Sequence, residues 1–119
     1  VRALMNDPSI LLLDEPFRAL DALTKSVMQE YLNELLTEVP KTVFFITHDL
    51  EEAIMLGDKV VVLTSRPARI REVVPVPIAK PRRHAVLTSP EFLEIKAVLS
   101  GAIHEEAQHA FATGERELA

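Results

Sequence analysis

The chain has 119 residues, of which 48% are hydrophobic and 26% are charged, and its formal net charge is −5. These values are ordinary for one globular domain, and the acidic balance argues against a protein that binds nucleic acid through a general basic surface. The chain contains no cysteine, which excludes disulfides and thiolate metal sites, and no apolar run approaches the roughly 18 residues that a membrane helix needs.

The first predicted elements are the end of a helix over 1–6 and a strand over 10–13. Asp7-Pro8 separates them, since proline closes a helix that precedes it. The chain starts inside this helix, at Val1 rather than at Met, so we expect a fragment of a longer protein. The strand reads Ile-Leu-Leu-Leu, and such a continuous apolar run is typical of a parallel strand buried on both faces.

Two carboxylates end this strand. Asp14 and Glu15 precede Pro16, which has no N–H to donate and cannot continue the ladder. Open α/β sheets bind ligands at the carboxyl ends of their strands, and neighbouring strand residues point to opposite faces, so the two carboxylates can have different roles. They suit the binding of a divalent cation and the activation of a water molecule. The alternative is a surface turn with two solvated acids.

A helix over 21–38, closed by Pro40, and a second buried strand over 42–46 come next. Three- and four-residue spacing of apolar residues predicts the buried face of the helix. These residues are Leu20, Leu23, Val27, Tyr31 and Leu35. The strand is rich in β-formers. If the two strands are parallel neighbours, His48 lies at the same sheet edge as Asp14.

Shorter elements continue the alternation of helix and strand. Asp49 is expected to cap a short helix, with Glu52 completing a capping box, and Gly57 is expected to end it. A third strand over 59–64 and a fourth over 69–76 follow. We expect the fourth to run antiparallel to the third, because only a hairpin fits so short a connection.

The rest of the chain is a proline-rich linker and a last helix. A basic stretch consists of Arg66, Arg69 and Arg71, together with Lys80, Arg82 and Arg83 of the linker, which also contains His84. It suits acidic headgroups or a partner protein, although most such runs are solvated. Ser89-Pro90 opens the helix, which we expect to pack on its own domain. Its predicted apolar face is Phe92, Ile95, Leu99 and Ile103.

The alternation of strands and helices predicts an α/β fold with a parallel sheet and right-handed crossovers. Two more residues are candidates for chemistry. The imidazole of His48 can donate a hydrogen bond to a phosphate oxygen; the alternative is a helix-entry residue without a ligand. Asp21 is expected to cap the long helix, and spacing alone gives it no further role.

Together these segments resemble the C-terminal half of an ABC transporter ATP-binding subunit, with a P-loop NTPase-like parallel sheet and flanking helices. Residues 10–16 (ILLLDEP) are similar to the Walker B strand, 19–21 (ALD) to the D-loop and 46–53 (ITHDLEEA) to the switch-histidine region. Residues 2–8 resemble the helix after the signature sequence. The resemblance covers residues 1–74, and it implies an ATPase core over 1–76 and a linker with a C-terminal helical extension over 77–119.

The resemblance implies roles for four residues. Asp14 would hold Mg²⁺, through water, and Glu15 would be the general base for the attacking water. His48 would contact the γ-phosphate of ATP, and Asp21 would act across a head-to-tail dimer of two ATPase subunits. Such roles fit phosphoryl transfer, which depends on positioning and charge neutralisation.

Within this family, the chain resembles the ATPases of the nitrate, sulfonate and taurine importers. The residues that carry this resemblance are Phe17, 65–70 (SRPARI) and 89–92 (SPEF). The resemblance implies a subunit that hydrolyses ATP to drive uptake of a small anion. Its partners would be a second ATPase subunit, transmembrane permease subunits and, indirectly, a solute-binding protein, with no nucleic acid. It would lie at the cytoplasmic face of the membrane.

Two features depart from the family pattern. Arg18 stands where this subgroup has glycine, and no G-x-x-x-x-G-K-[ST] motif occurs in the chain. In that motif, successive backbone N–H groups and the lysine supply most of the binding to phosphate. We therefore expect the chain alone to bind ATP very weakly and not to hydrolyse it. The alternative is a truncated or degenerate domain that only docks onto a partner. A response-regulator-like domain has less support, since no strand-end lysine follows at a suitable place.

Overall fold

The computed structural model describes residues 9–39, 41–65 and 67–118, with the backbone alone for 113–118. The elements are β1 (Ile10–Asp14), α1 (Ala22–Glu38), β2 (Thr42–Ile46), α2 (Leu50–Leu56), β3 (Lys59–Leu63), β4 (Ile70–Pro75), a 3₁₀ helix (His84–Thr88) and α3 (Pro90–Leu118). The predicted α/β order is confirmed. The predicted helix over 1–6, Asp7-Pro8, Pro40 and Arg66 lie outside the described residues.

The four strands form two separate pairs. β1 and β2 are parallel, from Ile10 opposite Thr42 to Asp14 opposite Ile46, and β3 and β4 are antiparallel. Both pairings are as predicted. The expectation that the third strand joins the parallel sheet is wrong: among the described residues β3 is paired with β4 alone. The short turn brings β4 to β3 at low entropic cost, and Val62 of β3 packs in a core with α3 instead.

The hydrophobic core lies between α2, β3 and α3. Its buried members are Ile54, Met55, Val62, Val76, Phe92, Leu99 and Ala102. The last helix therefore packs on its own chain, as predicted, and Ser89 caps it by accepting the Phe92 N–H at 3.2 Å. Ile103 was expected in the buried face but is 41% exposed, because the buried stripe of α3 continues through Ala102 to Glu106.

The expected burial of β1 and of the apolar stripe of α1 is wrong. In β1 Leu11 is buried, but Leu12 is 68% exposed. Leu23 of α1 is 77% exposed, and α1 instead packs through a polar residue. Asn33 is buried and donates from Nδ2 to the Met55 carbonyl at 2.7 Å. Periodicity marks an apolar face correctly, but it does not say whether the same chain covers that face.

The basic stretch contains a buried residue that the sequence reasoning missed. Arg82 is only 1% exposed and its guanidinium donates to four backbone carbonyls. They belong to Ile54, Gly57, Val76 and Ile78. Lys80 donates to the Leu56 carbonyl at 3.1 Å. The last carbonyls of a helix have no partner within it and attract cations, so these two linker residues complete the end of α2.

Gly57 ends α2 as predicted, with its N–H donating to the Ala53 carbonyl, but the reason for glycine is space. Its φ is −88°, and an added Cβ would lie 2.9 Å from the Ala53 oxygen and 3.1 Å from the Lys59 oxygen. Because both neighbours are backbone atoms, Gly57→Ala is expected to destabilise the fold by about 1–3 kcal/mol. Urea unfolding measures this change.

Gly101 is the matched control, since it lies within α3 and a Cβ there would meet nothing within 4 Å. Gly101→Ala is expected to stabilise the chain by about 0.5–1 kcal/mol, from helix propensity alone. If both substitutions changed the free energy of unfolding in the same direction, the close approach at Gly57 would not be the cause.

Candidate active site

The ends of β1 and β2 meet at one edge of the parallel pair. Asp14 lies opposite Ile46, and the Glu15 N–H donates to the Ile46 carbonyl at 2.8 Å, which carries the ladder one residue past the strand. Glu15 then turns out of strand geometry with a φ of 44°, a left-handed conformation that costs energy in any residue with a Cβ. Strain of this kind concentrates at functional sites.

The turn brings Glu15 to His48, which follows β2. The Nδ1–H of His48 donates to Oε1 of Glu15, and the guanidinium of Arg18 lies 3.1 Å from Oε2. The hydrogen bond from His48, with the charge of Arg18 in addition, lowers the pKa of Glu15. The carboxylate is therefore ionised at neutral pH and can accept hydrogen bonds, including one from water.

Arg18 has a contact that sequence reasoning did not assign. From the sequence, the residue is noted only as a departure from the pattern of the importers that the chain resembles. In the structure its side chain is 75% exposed and pairs with Glu15, three residues earlier. The sequence signal that could have predicted this contact is the three-residue spacing of the two opposite charges. An exposed pair of this kind contributes little to stability, so its main effect is on the electrostatics of Glu15.

Asp14 differs from its neighbour in having a side chain open to solvent. Among the described residues, no cluster of three or more acidic or histidine side chains could enclose a metal. Mg²⁺ does not require one, because it is usually held by one or two carboxylates together with waters and phosphate oxygens. The exposed carboxylate of Asp14 at the strand end fits that mode of binding.

Asp21 caps α1, as predicted. Its Oδ1 accepts the Thr24 N–H at 2.8 Å and its Oδ2 accepts the Thr24 hydroxyl at 3.1 Å. The bond from the Thr24 backbone is the largest cause of the lowered pKa of Asp21. None of the described contacts joins Asp21 to Glu15 or His48.

Asp49 caps α2, as predicted, by accepting the backbone N–H groups of Glu51 and Glu52. A capping box would also require the side chain of Glu52 to accept the N–H of Asp49. That expectation is wrong, because the Asp49 N–H donates to the Thr47 hydroxyl instead. The side chain of Glu52 turns inward, where it is 2% exposed and accepts from Gln29 of α1. Lys25 of α1 also reaches this carboxylate.

No protein-family profile matches the chain, but curated relatives do. It is 47% identical, over 105 residues and 88% of its length, to an uncharacterized ABC transporter ATP-binding protein of Methanocaldococcus jannaschii, of which it covers 38%. Over 95 residues it is 42% identical to the aliphatic sulfonates import ATP-binding protein of Bacillus licheniformis (80% of this chain, 36% of the relative). Over 110 residues it is 42% identical to the nitrate import ATP-binding protein of Synechococcus elongatus (91% and 40%).

The matched segment belongs to the family of ABC transporter ATP-binding proteins. Within that family, its relatives include import proteins named for sulfonates and nitrate. The α/β fold with its parallel pair and flanking helices is consistent with the C-terminal part of the ATPase domain. The chain spans less than half of the length of these relatives. No helix in the described ranges is both long enough and apolar enough to cross a membrane.

Proposed function

We propose that this chain is the part of an ABC-type ATPase that positions and activates the attacking water. The observation that carries the proposal is the contact of Glu15 with His48 at the edge where Asp14 ends β1. The ends of two neighbouring strands thus carry an ionised carboxylate, an imidazole N–H and a solvent-open carboxylate at one edge of the sheet. These groups suit a general base, a phosphate contact and a cation ligand.

Each residue has a role in this proposal. Glu15 orients the attacking water and accepts its proton. Asp14 would hold Mg²⁺ through water, and the ion, when bound, would supply positive charge against the phosphates of ATP. His48 would donate a hydrogen bond to the γ-phosphate from its Nδ1–H, which requires that this group turn from Glu15 toward the nucleotide. Asp21 contributes across a head-to-tail dimer of two ATPase subunits.

For the whole protein, we infer that hydrolysis drives import of a small anion such as a sulfonate or nitrate, as the names of the relatives suggest. The partners would be a second ATPase subunit, membrane permease subunits and, through these, a solute-binding protein. The ATPase would lie at the cytoplasmic face of the membrane. Within the chain, residues 1–76 would form the core segment, and residues 77–119 the linker and helical extension.

A second candidate function is docking without catalysis. The observation that favours it is the exposed apolar surface of β1, β2 and α1, which includes Leu12, Leu23 and Phe44. An apolar surface of this kind fits an interface with another part of the ATPase or with a partner. It is compatible with either function, so only an assay of hydrolysis separates the two.

The test is a chimera in which this chain replaces the matched segment of the Methanocaldococcus jannaschii relative, which extends well beyond that segment. The catalytic proposal predicts that the chimera binds and hydrolyses ATP, and that the chain alone does not hydrolyse it. Docking alone predicts a folded chimera that binds ATP without turnover. The parent protein, assayed in parallel, is the positive control.

A further inference from the structure

Lys25 joins the beginnings of the two helices that flank the candidate site. Its Nζ lies 3.0 Å from Oδ2 of Asp49 and 3.5 Å from Oε2 of Glu52. The hydrogen bond to Asp49, with the charges of both carboxylates in addition, raises the pKa of Lys25. The ammonium is therefore charged at neutral pH and pairs at once with the residue that caps α2 and with a residue inside that helix.

The contact to Asp49 reaches the residue next to His48. The two carboxylate oxygens of Asp49 have different partners. Oδ1 accepts the N–H groups that begin α2, and Oδ2 pairs with Lys25. Its own N–H donates to the Thr47 hydroxyl at 3.0 Å. The residues on both sides of His48 are thereby bonded to each other, and one of them, Asp49, is also paired with Lys25.

On the other helix, the backbone N–H of Lys25 donates to the Asp21 carbonyl at 2.9 Å. Lys25 thus lies one helical turn after Asp21, whose side chain caps α1. Glu52 strengthens the link between the helices, because a carboxylate that is 2% exposed needs a partner, and both its donors, Lys25 and Gln29, come from α1.

We propose that Lys25 is a positioning residue for ATP hydrolysis: through Asp49 it holds His48 in a fixed place relative to Asp21 at the start of α1. The inference rests on the proposed roles of Glu15 and His48. Lys25 touches no reacting atom. Its effect is geometric, and small displacements of a catalytic group are enough to lower a rate strongly.

The test is Lys25→Met in the chimera, which keeps the apolar stem of the side chain and removes the charge. We expect kcat to fall about tenfold, with KM for ATP within about twofold of the parent chimera. Lys25→Arg, which can still reach both carboxylates, is expected to restore most of the rate. Should Lys25→Met fail to fold, Lys25→Gln takes its place.

Gln29→Leu is the matched control, because it removes the other donor to Glu52 without touching Asp49. It is expected to lower the melting temperature as Lys25→Met does, while kcat stays within about twofold. Equal losses of kcat in both variants, or an unchanged kcat in Lys25→Met, would overturn the proposal. If Glu15→Gln also left hydrolysis intact, the proposed function would fail; if only Lys25→Met did, the positioning role alone would fail.

A second measurement uses the 119-residue chain without nucleotide. The ring proton resonances of His48, assigned with His48→Gln, report the surroundings of the imidazole directly. Lys25→Met is expected to shift them, and Gln29→Leu is expected to leave them in place. Resonances that do not move in Lys25→Met would contradict a link from Lys25 to His48, whatever the activity.

Discussion

Glu15→Gln in the chimera is expected to lower the rate of ATP hydrolysis by about 10²–10⁴-fold, the usual contribution of a general base, while ATP still binds. The amide has nearly the same shape as the carboxylate but cannot accept the proton of the attacking water. The amide also lacks the negative charge that pairs with His48 and Arg18 in the parent protein. A measurement of steady-state phosphate release, alongside an equilibrium titration of ATP, separates the two effects.

Glu72→Gln is the control for this substitution. Glu72 is an exposed residue of β4, on the sheet that does not carry the candidate site. The same chemical change there is expected to leave hydrolysis unaltered. Steady-state hydrolysis that survives Glu15→Gln at the parent rate would remove Glu15 from the mechanism, and an equal loss in both variants would point to a general effect of charge.

Arg82→Met is expected to lower the free energy of unfolding by about 3 kcal/mol, because each buried carbonyl left without a donor costs about 1–3 kcal/mol. At least two of the affected carbonyls, those of Ile54 and Val76, are in buried hydrogen bonds. Methionine keeps the volume of the side chain, so the loss measures the hydrogen bonds rather than a cavity. The melting temperature is expected to fall by about 10 °C.

The neighbouring arginine provides the control. Arg83 has a side chain that is 69% exposed and lies 3.6 Å from Glu34, a geometry in which an ion pair contributes at most about 1 kcal/mol. Arg83→Met is therefore expected to leave the melting temperature almost unchanged. Equal destabilisation by both substitutions would show that the end of α2 does not depend on the guanidinium of Arg82.

The elements of the fold could be predicted because they depend on local patterns. Continuous apolar runs marked β1 and β2, and polar residues with the right spacing marked the beginnings of α1 and α2 at Asp21 and Asp49. What covers each apolar face is a property of the tertiary structure, and here prediction failed. Leu12 and Leu23 belong to apolar patterns, yet both are exposed.

The candidate site was predictable only in part. The end of a strand gives the position of Asp14 and Glu15, and the parallel pairing of β1 and β2 brings His48 to the same edge. Lys25 and Arg82 were missed because they act through carbonyls and carboxylates that are distant in sequence. A lysine in a helix and an arginine in a basic run look solvated until the fold shows their partners.

In the proposed function, this chain supplies the groups that activate water, and a P-loop sequence that these 119 residues do not contain supplies most of the binding to the phosphates. Calorimetric titration of the 119-residue chain and of the chimera with MgATP distinguishes these two contributions. We expect the chimera to bind saturably, at one site per subunit, and the chain alone to show no saturable binding. Saturable micromolar binding by the chain alone, or no binding by the chimera, would disprove this division of roles.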